Sequence, residues 1–186
     1  MPNGSDKPVF LVDAYSDPVV VRIEGRACFS NSAGLQAFLS QMAGQGKARF
    51  VIDFRNCPSM DSTFLGVLAG EALELHRRSP PGSLVLCRVG RRNLELLRNL
   101  GLHRLLTIDA GEPAPDPAAV ARPLAPEATR DEIACARLVL EAHENLVAAD
   151  PANLGKFQDL LAFLRHRLDQ GQSAPPGGAA RPLPAA

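Results

Sequence analysis

Residues 49–54 (RFVIDF) read as a short buried strand, and beginning ten positions further on Phe64, Leu65, Leu68, Ala72 and Leu75 mark the inner side of a helix. Pro80-Pro81-Gly82 stops that helix, and residues 83–88 (SLVLCR) read as another buried strand. A strand, a helix and a second buried strand in this order call for a crossover between parallel neighbours. The chain is thereby committed to a layered α/β architecture.

The flanking segments extend the pattern. Residues 9–13 and 19–24 (VVVRIE) are β-branched and are punctuated by Asp17-Pro18 and Gly25. Ser30 or Asn31 is the expected cap of a helix whose face is Leu35, Phe38, Leu39 and Met42, with Gly44 and Gly46 ending it. Leu94, Leu97 and Leu100 form a further stripe closed by Gly101, and residues 105–108 read as a last short strand. The expected fold is a mixed, mostly parallel sheet with packed helices, the first two strands forming an antiparallel hairpin.

Proline sets the limits of this domain. Residues 111–127 hold five prolines, and residues 171–186 hold four more with three glycines. Proline at that density opposes helix and sheet pairing. The expected organisation is a disordered lead at 1–7, a main domain at 8–110, a proline-rich linker at 111–127, a helical hairpin at 128–170 and a disordered tail at 171–186. In the hairpin, Thr129 with Glu132 is in capping-box register, and Ile133, Ala136, Leu140 and Val147 form a stripe. Asp150-Pro151 opens the second helix, where Leu154, Phe157, Leu161, Leu164 and Leu168 make a narrow seam that needs a partner surface.

Composition removes several function classes. The main domain carries net +3 and the hairpin net −2 within a neutral chain, too little basic excess for a nucleic-acid binder. The arginines between 77 and 104 read as a solvated face, since no aromatics interleave. No apolar run is long enough for membrane insertion, and residues 1–8 lack a signal-peptide core, so a cytoplasmic location is expected. The four cysteines and four histidines are too scattered for a metal site, and no cofactor is expected. G-x-S-x-G, the phosphate-binding G-x-x-x-x-G-K-[ST] loop and G-x-G-x-x-G are all missing, so no catalytic residue is assigned.

The chemistry-bearing stretch is Met60-Asp61-Ser62-Thr63. It places a hydroxyl where a strand ends and a helix begins, a position at which free N–H groups and the helix dipole favour an anion such as phosphate. The simpler alternative is that Ser62 or Asp61 is only a helix cap, worth about 1 kcal/mol. Gly66-x-x-x-Gly70 reads as close packing on the sheet, and His143-Glu144 as an exposed or half-buried pair on a helix.

Residues 49–70 resemble the STAS domain, the module of bacterial anti-sigma-factor antagonists and of sulfate-transporter C-terminal domains. Val51, Asp53, Phe54, Met60, Asp61, Ser62, Thr63, Leu65, Gly66, Val67 and Leu68 match its signature. Leu97, Gly101, Leu102 and Leu105 match a second feature, and Gly25 a third. The resemblance covers about residues 8–110 and leaves the hairpin outside it. It implies a non-enzymatic module in a partner-switching pathway, with Ser62 phosphorylated by a serine kinase of the histidine-kinase-like ATPase fold that doubles as the anti-sigma factor. Asp61, Ser62, Thr63 and Phe64 would meet that partner. Two positions depart from the family pattern: Phe64 replaces a glycine beside the acceptor, and Cys28 stands where an acidic residue is common. Alternatives are a non-phosphorylated STAS scaffold or transport-accessory protein and, more remotely, a small serine hydrolase or nucleotide-binding enzyme using Ser62. A homodimer through the C-terminal helices is the alternative to a hairpin docked on its own domain.

Overall fold

A computed structural model describes residues 9–109, 121–125 and 131–173. The elements run β1 (Phe10–Asp13), β2 (Val19–Glu24), α1 (Phe29–Gly44), β3 (Arg49–Asn56), α2 (Ser62–Arg77), β4 (Ser83–Cys87), α3 (Arg91–Asn99), β5 (Thr107–Asp109), β6 (Arg122–Pro123), α4 (Glu132–Ala149) and α5 (Leu154–Ser173). The sheet order is β5-β4-β3-β2-β1-β6. β1 pairs antiparallel with β2 and β6, while β2, β3, β4 and β5 are parallel. This is the mixed, mostly parallel sheet expected from the sequence, with the two C-terminal helices added.

The three crossovers all step in the same direction along the sheet. Crossovers of one hand then put α1, α2 and α3 on one face. Strand alternation sends Phe10, Val21, Ile23, Phe50, Ile52 and Leu86 into that layer, against Leu35, Leu39, Leu65, Leu68, Leu75 and Leu97. The opposite parity, including Val20, Arg22, Val51, Asp53, Val85 and Cys87, points to the other face. There Asp53 is fully buried and held by the forked guanidinium of Arg88, with Arg22 3.5 Å away and the Arg55 N–H donating at 3.0 Å. Arg88 adopts φ 55°, a left-handed conformation uncommon for a side chain of its size, at the end of β4.

Several local expectations are corrected. Cys28, not Ser30 or Asn31, is the N-cap of α1, and Asn31 Oδ1 accepts from the Cys28 N–H at 3.0 Å. Leu102–Arg104 form a 3-10 turn, which delays β5 to Thr107; Gly101, at φ 71°, closes α3 as expected. Arg122–Pro123 pair with the β1 edge although they lie in the proline-rich segment. Proline is tolerated there because an edge strand can turn its missing donor away from the ladder. The expected lead at 1–7, most of the 111–127 segment and Thr129 lie outside the described residues, as does the tail beyond Ser173.

The C-terminal helices form a third layer, on the outer side of α1 and α2. Asp131, not Thr129, caps α4, with the Ala134 N–H donating to its Oδ1 at 2.7 Å. The buried face of α4 is Ala136, Leu138, Ala142, His143 and Leu146 rather than the expected stripe through Leu140 and Val147. In α5, Leu161, Leu164 and Leu168 are buried as a seam, whereas Leu154 is exposed. Leu164 and Leu168 pack with Ala136, so the seam is filled within the chain.

Candidate functional site

The loops entering α1 and α2 are tied together before either helix starts. Ala27 and Met60 form an isolated parallel bridge, in which the Ala27 N–H donates to Ser59 O at 3.0 Å and the Asp61 N–H to Ala27 O at 3.1 Å. The Asp61 carboxylate then serves both helices. Its Oδ1 accepts from the Phe64 N–H at 2.9 Å, as N-cap of α2, and its Oδ2 accepts from the Phe29 N–H at 2.8 Å, in the first turn of α1. An acceptor shared by two helix N-termini faces two sets of unpaired donors and two positive dipole ends.

With Asp61 as the cap, Ser62 is the first residue of α2, and its hydroxyl has no capping duty. Ser62 Oγ lies 3.0 Å from His143 Nε2, across 81 residues of sequence. The other ring nitrogen, Nδ1, lies 2.7 Å from Val139 O. A carbonyl oxygen only accepts, so Nδ1 carries a proton, and in the neutral ring Nε2 accepts from the Ser62 O–H. The imidazole is 2% exposed and sits edge-on to Phe157, with ring centroids 4.7 Å apart.

The four predicted partner-binding residues therefore separate. Asp61 and Ser62 are half-buried at the entrance to α2. Thr63 is buried, and Phe64 is fully buried in the core, with ring centroids 6.2 Å from both Phe10 and Phe54. Thr63 and Phe64 cannot form the outer surface that the resemblance implied, whereas the inner-side position that periodicity predicted for Phe64 is the one observed. The exposed aromatic beside Asp61 is instead Phe29, 49% exposed.

Sequence reasoning missed His143, which was expected to be exposed or half-buried. It also assigned Gly66 and Gly70 to the sheet, and that assignment is corrected here. A Cβ on Gly66 would stand 2.7 Å from Ala142 Cα, and one on Gly70 would stand 3.0 Å from Asn145 Cγ. Both glycines face α4. Val67 on the same side packs with Ala33 of α1 and Leu138 of α4. The available signal was that residues 63–69 of α2 are apolar or small on every side, which marks a helix covered twice.

The basic run does not form one binding face. Arg77 pairs with Glu74, Arg91 with Glu95 and Arg104 with Asp150, while Arg78 donates to Ala43 O and Lys47 O. Among the described residues, no group of three or more His, Cys, Asp or Glu side chains is placed to hold a metal ion, and no helix is long and apolar enough to cross a membrane.

The family described as "Mlab, STAS domain" matches residues 10–107, more than half of the chain. The protein belongs to the STAS domain family. Similar solved structures include the anti-sigma factor antagonist SpoIIAA in its unphosphorylated form, at 18% identity and a TM-score of 0.47 over 55% of this chain and 89% of that one. The Bacillus cell fate determinant SpoIIAA in the phosphorylated form is similar at 20% identity and a TM-score of 0.45, over 54% and 91% of the two chains. No curated protein matches.

Proposed function

We propose that this STAS protein is a regulatory protein-interaction module of the anti-sigma-factor antagonist type, controlled by phosphorylation of Ser62. The carrying observation is the division of labour at the α2 entrance. Asp61 caps two helices, which leaves the Ser62 hydroxyl outside the cap and beside the positive end of α2. The family signature at Met60-Asp61-Ser62-Thr63 supports the same residue. The partner is a cytoplasmic serine kinase of the histidine-kinase-like ATPase fold that also acts as the anti-sigma factor. It would dock over Asp61, Ser62 and the exposed Phe29 ring.

A phosphate on Ser62 adds about −1.5 to −2 charge beside the Asp61 carboxylate, which opposes docking while the helix N-terminus tolerates it. Mass spectrometry of the protein from its native cells should find phosphate on Ser62. Ser62→Asp should lose partner binding, and Ser62→Ala should bind yet resist phosphorylation. A Ser62 that is never modified, with both variants binding like wild type, returns the protein to the scaffold or transport-accessory reading.

The Ser62–His143 contact is the one observation that favours a serine hydrolase. A nucleophilic serine needs a base with room beside it for substrate. His143 is sealed beneath Phe157, and its Nδ1 is oriented by a carbonyl rather than a carboxylate. A fluorophosphonate probe should leave Ser62 unlabelled, and stoichiometric labelling would reinstate the enzyme.

A further inference from the structure

The hydroxyl at the centre of the proposed function is already engaged from within the chain. His143 is a residue of α4, and α4 lies outside the family match. Its position depends on how that helix sits on α2.

The seat has two unlike ends. At one end it is anchored. Asn153, fully buried in the 3-10 turn before α5, donates to Leu100 O and Leu146 O at 2.9 Å each, and Asp150 pairs with Arg104. Leu146 joins the main core. Over Ser62 the seat is built differently. Gly66 and Gly70 let the α4 backbone approach, and Ala33, Val67 and Leu138 form a small apolar cluster there, separate from the main core. Beside this patch is a cavity of about 170 Å3 whose lining includes Glu71, Glu74 and Glu141. The buried Glu71 Oε1 has no hydrogen-bond partner. Burial pushes the Glu71 carboxyl up, with Arg78 opposing and Glu74 adding to the rise. The seat therefore leaves one buried Glu71 oxygen without a hydrogen-bond partner beside the α2–α4 contact.

We propose that the C-terminal hairpin is a built-in switch, in which seating of α4 over Ser62 and a phosphate on Ser62 exclude each other. The inference rests on the reading of Ser62 as phospho-acceptor. In the transfer, the kinase's ATP supplies the phosphoryl group. The Oγ–P bond forms, the bond from the γ-phosphorus to the ADP oxygen breaks, and the hydroxyl proton leaves to water. The ester oxygen that remains can only accept. The hydroxyl hydrogen bond that ties Ser62 to His143 Nε2 at 3.0 Å is thereby lost. The phosphorus and its three oxygens also need the volume that α4 fills. By the same geometry a seated α4 covers the Ser62 hydroxyl against the kinase.

The test uses the full chain. Hydrogen exchange by mass spectrometry is read on α4 and on the sheet for wild type, Ser62→Glu, Ser62→Ala, Gly66→Leu and Leu138→Glu, and Ser62 phosphate occupancy is read in protein from native cells. Gly66→Leu and Leu138→Glu unseat α4 by two independent routes. The expected result is exchange in α4 on the order of tenfold faster in Ser62→Glu and in both unseating variants, near wild type in Ser62→Ala, with β2 and β3 unchanged throughout. Phosphate occupancy should rise severalfold in the unseated variants. Wild-type exchange of α4 in Ser62→Glu, or occupancy that is present but unaffected by unseating, overturns the switch and leaves the phospho-acceptor reading standing. No phosphate on Ser62 in any variant overturns that reading, and the switch with it.

Discussion

Asp61 shows how one carboxylate can set a whole site. Its two oxygens close the first turns of α1 and α2, which arrive from separate crossovers. Replacing a single N-cap by alanine costs about 1 kcal/mol, and a doubled cap should cost about 2 kcal/mol. Asp61→Ala should lower the unfolding free energy by that amount. Asp61→Asn keeps an oxygen for one helix only and should fall between, as urea titration of the three proteins would show. Asp53 predicts a pH dependence. Burial alone would raise its pKa, yet the Arg88 hydrogen bonds, the Arg55 N–H and the charges of Arg88 and Arg22 outweigh that and hold it below the usual carboxylate range. Its contribution is therefore present above about pH 4, where the unfolded carboxyl is ionised, and is lost as pH falls through the lower folded value. Thermal unfolding of wild type and Asp53→Asn should differ most near neutral pH and converge in acid. A gap that stays constant across that range would contradict the prediction.

Among the elements, α2 does the most. Phe64, Leu65, Leu68, Ala72 and Leu75 face the sheet, while Gly66, Val67 and Gly70 face the third layer. The inner stripe was legible because it follows the 3.6-residue period of a helix packed on one side. The outer stripe was not, since glycine marks where another backbone comes close without saying which one. The turn between α4 and α5 depends on Asn153, whose amide bonds two buried carbonyls. Asn153→Ala leaves Leu100 O without that donor. A loss of about 1–3 kcal/mol is expected, concentrated in the exchange protection of α4 and α5. Uniform loss over the sheet instead would mean that the turn is integral to the main core.

At the scale of the molecule, a sheet, a helix layer and a covering hairpin stack in that order. The hairpin's leucine seam is satisfied by α4 within the chain, although Phe163 stays 59% exposed on α5. A chain ending at Glu127 would uncover Ala33, Val67 and the two α2 glycines, and would remove Leu146 from the core. It should remain folded, melt several degrees lower and self-associate, because it exposes a contiguous apolar strip. Light scattering and thermal unfolding check this. An unchanged melting point and monomeric mass would make the hairpin an independent appendage. A full chain found as a dimer that dissociates on this truncation would instead assign the helices to self-association.

Periodicity and punctuation in the sequence determined the α/β order, the mixed sheet and the helical hairpin. Each follows from short-range rules: alternation in strands, a 3.6-residue stripe in helices, and proline and glycine at the breaks. The shift of the α1 cap to Cys28 and the pairing of Arg122–Pro123 with β1 were decided by packing and edge geometry that no local window contains. Only the tertiary structure brought His143 to Ser62. That contact spans 81 residues, and it exists because two glycines let one helix backbone lie against another. A histidine on a helix carries no mark in sequence of which neighbour will bury it. The neighbour is chosen by how the third layer settles on the second.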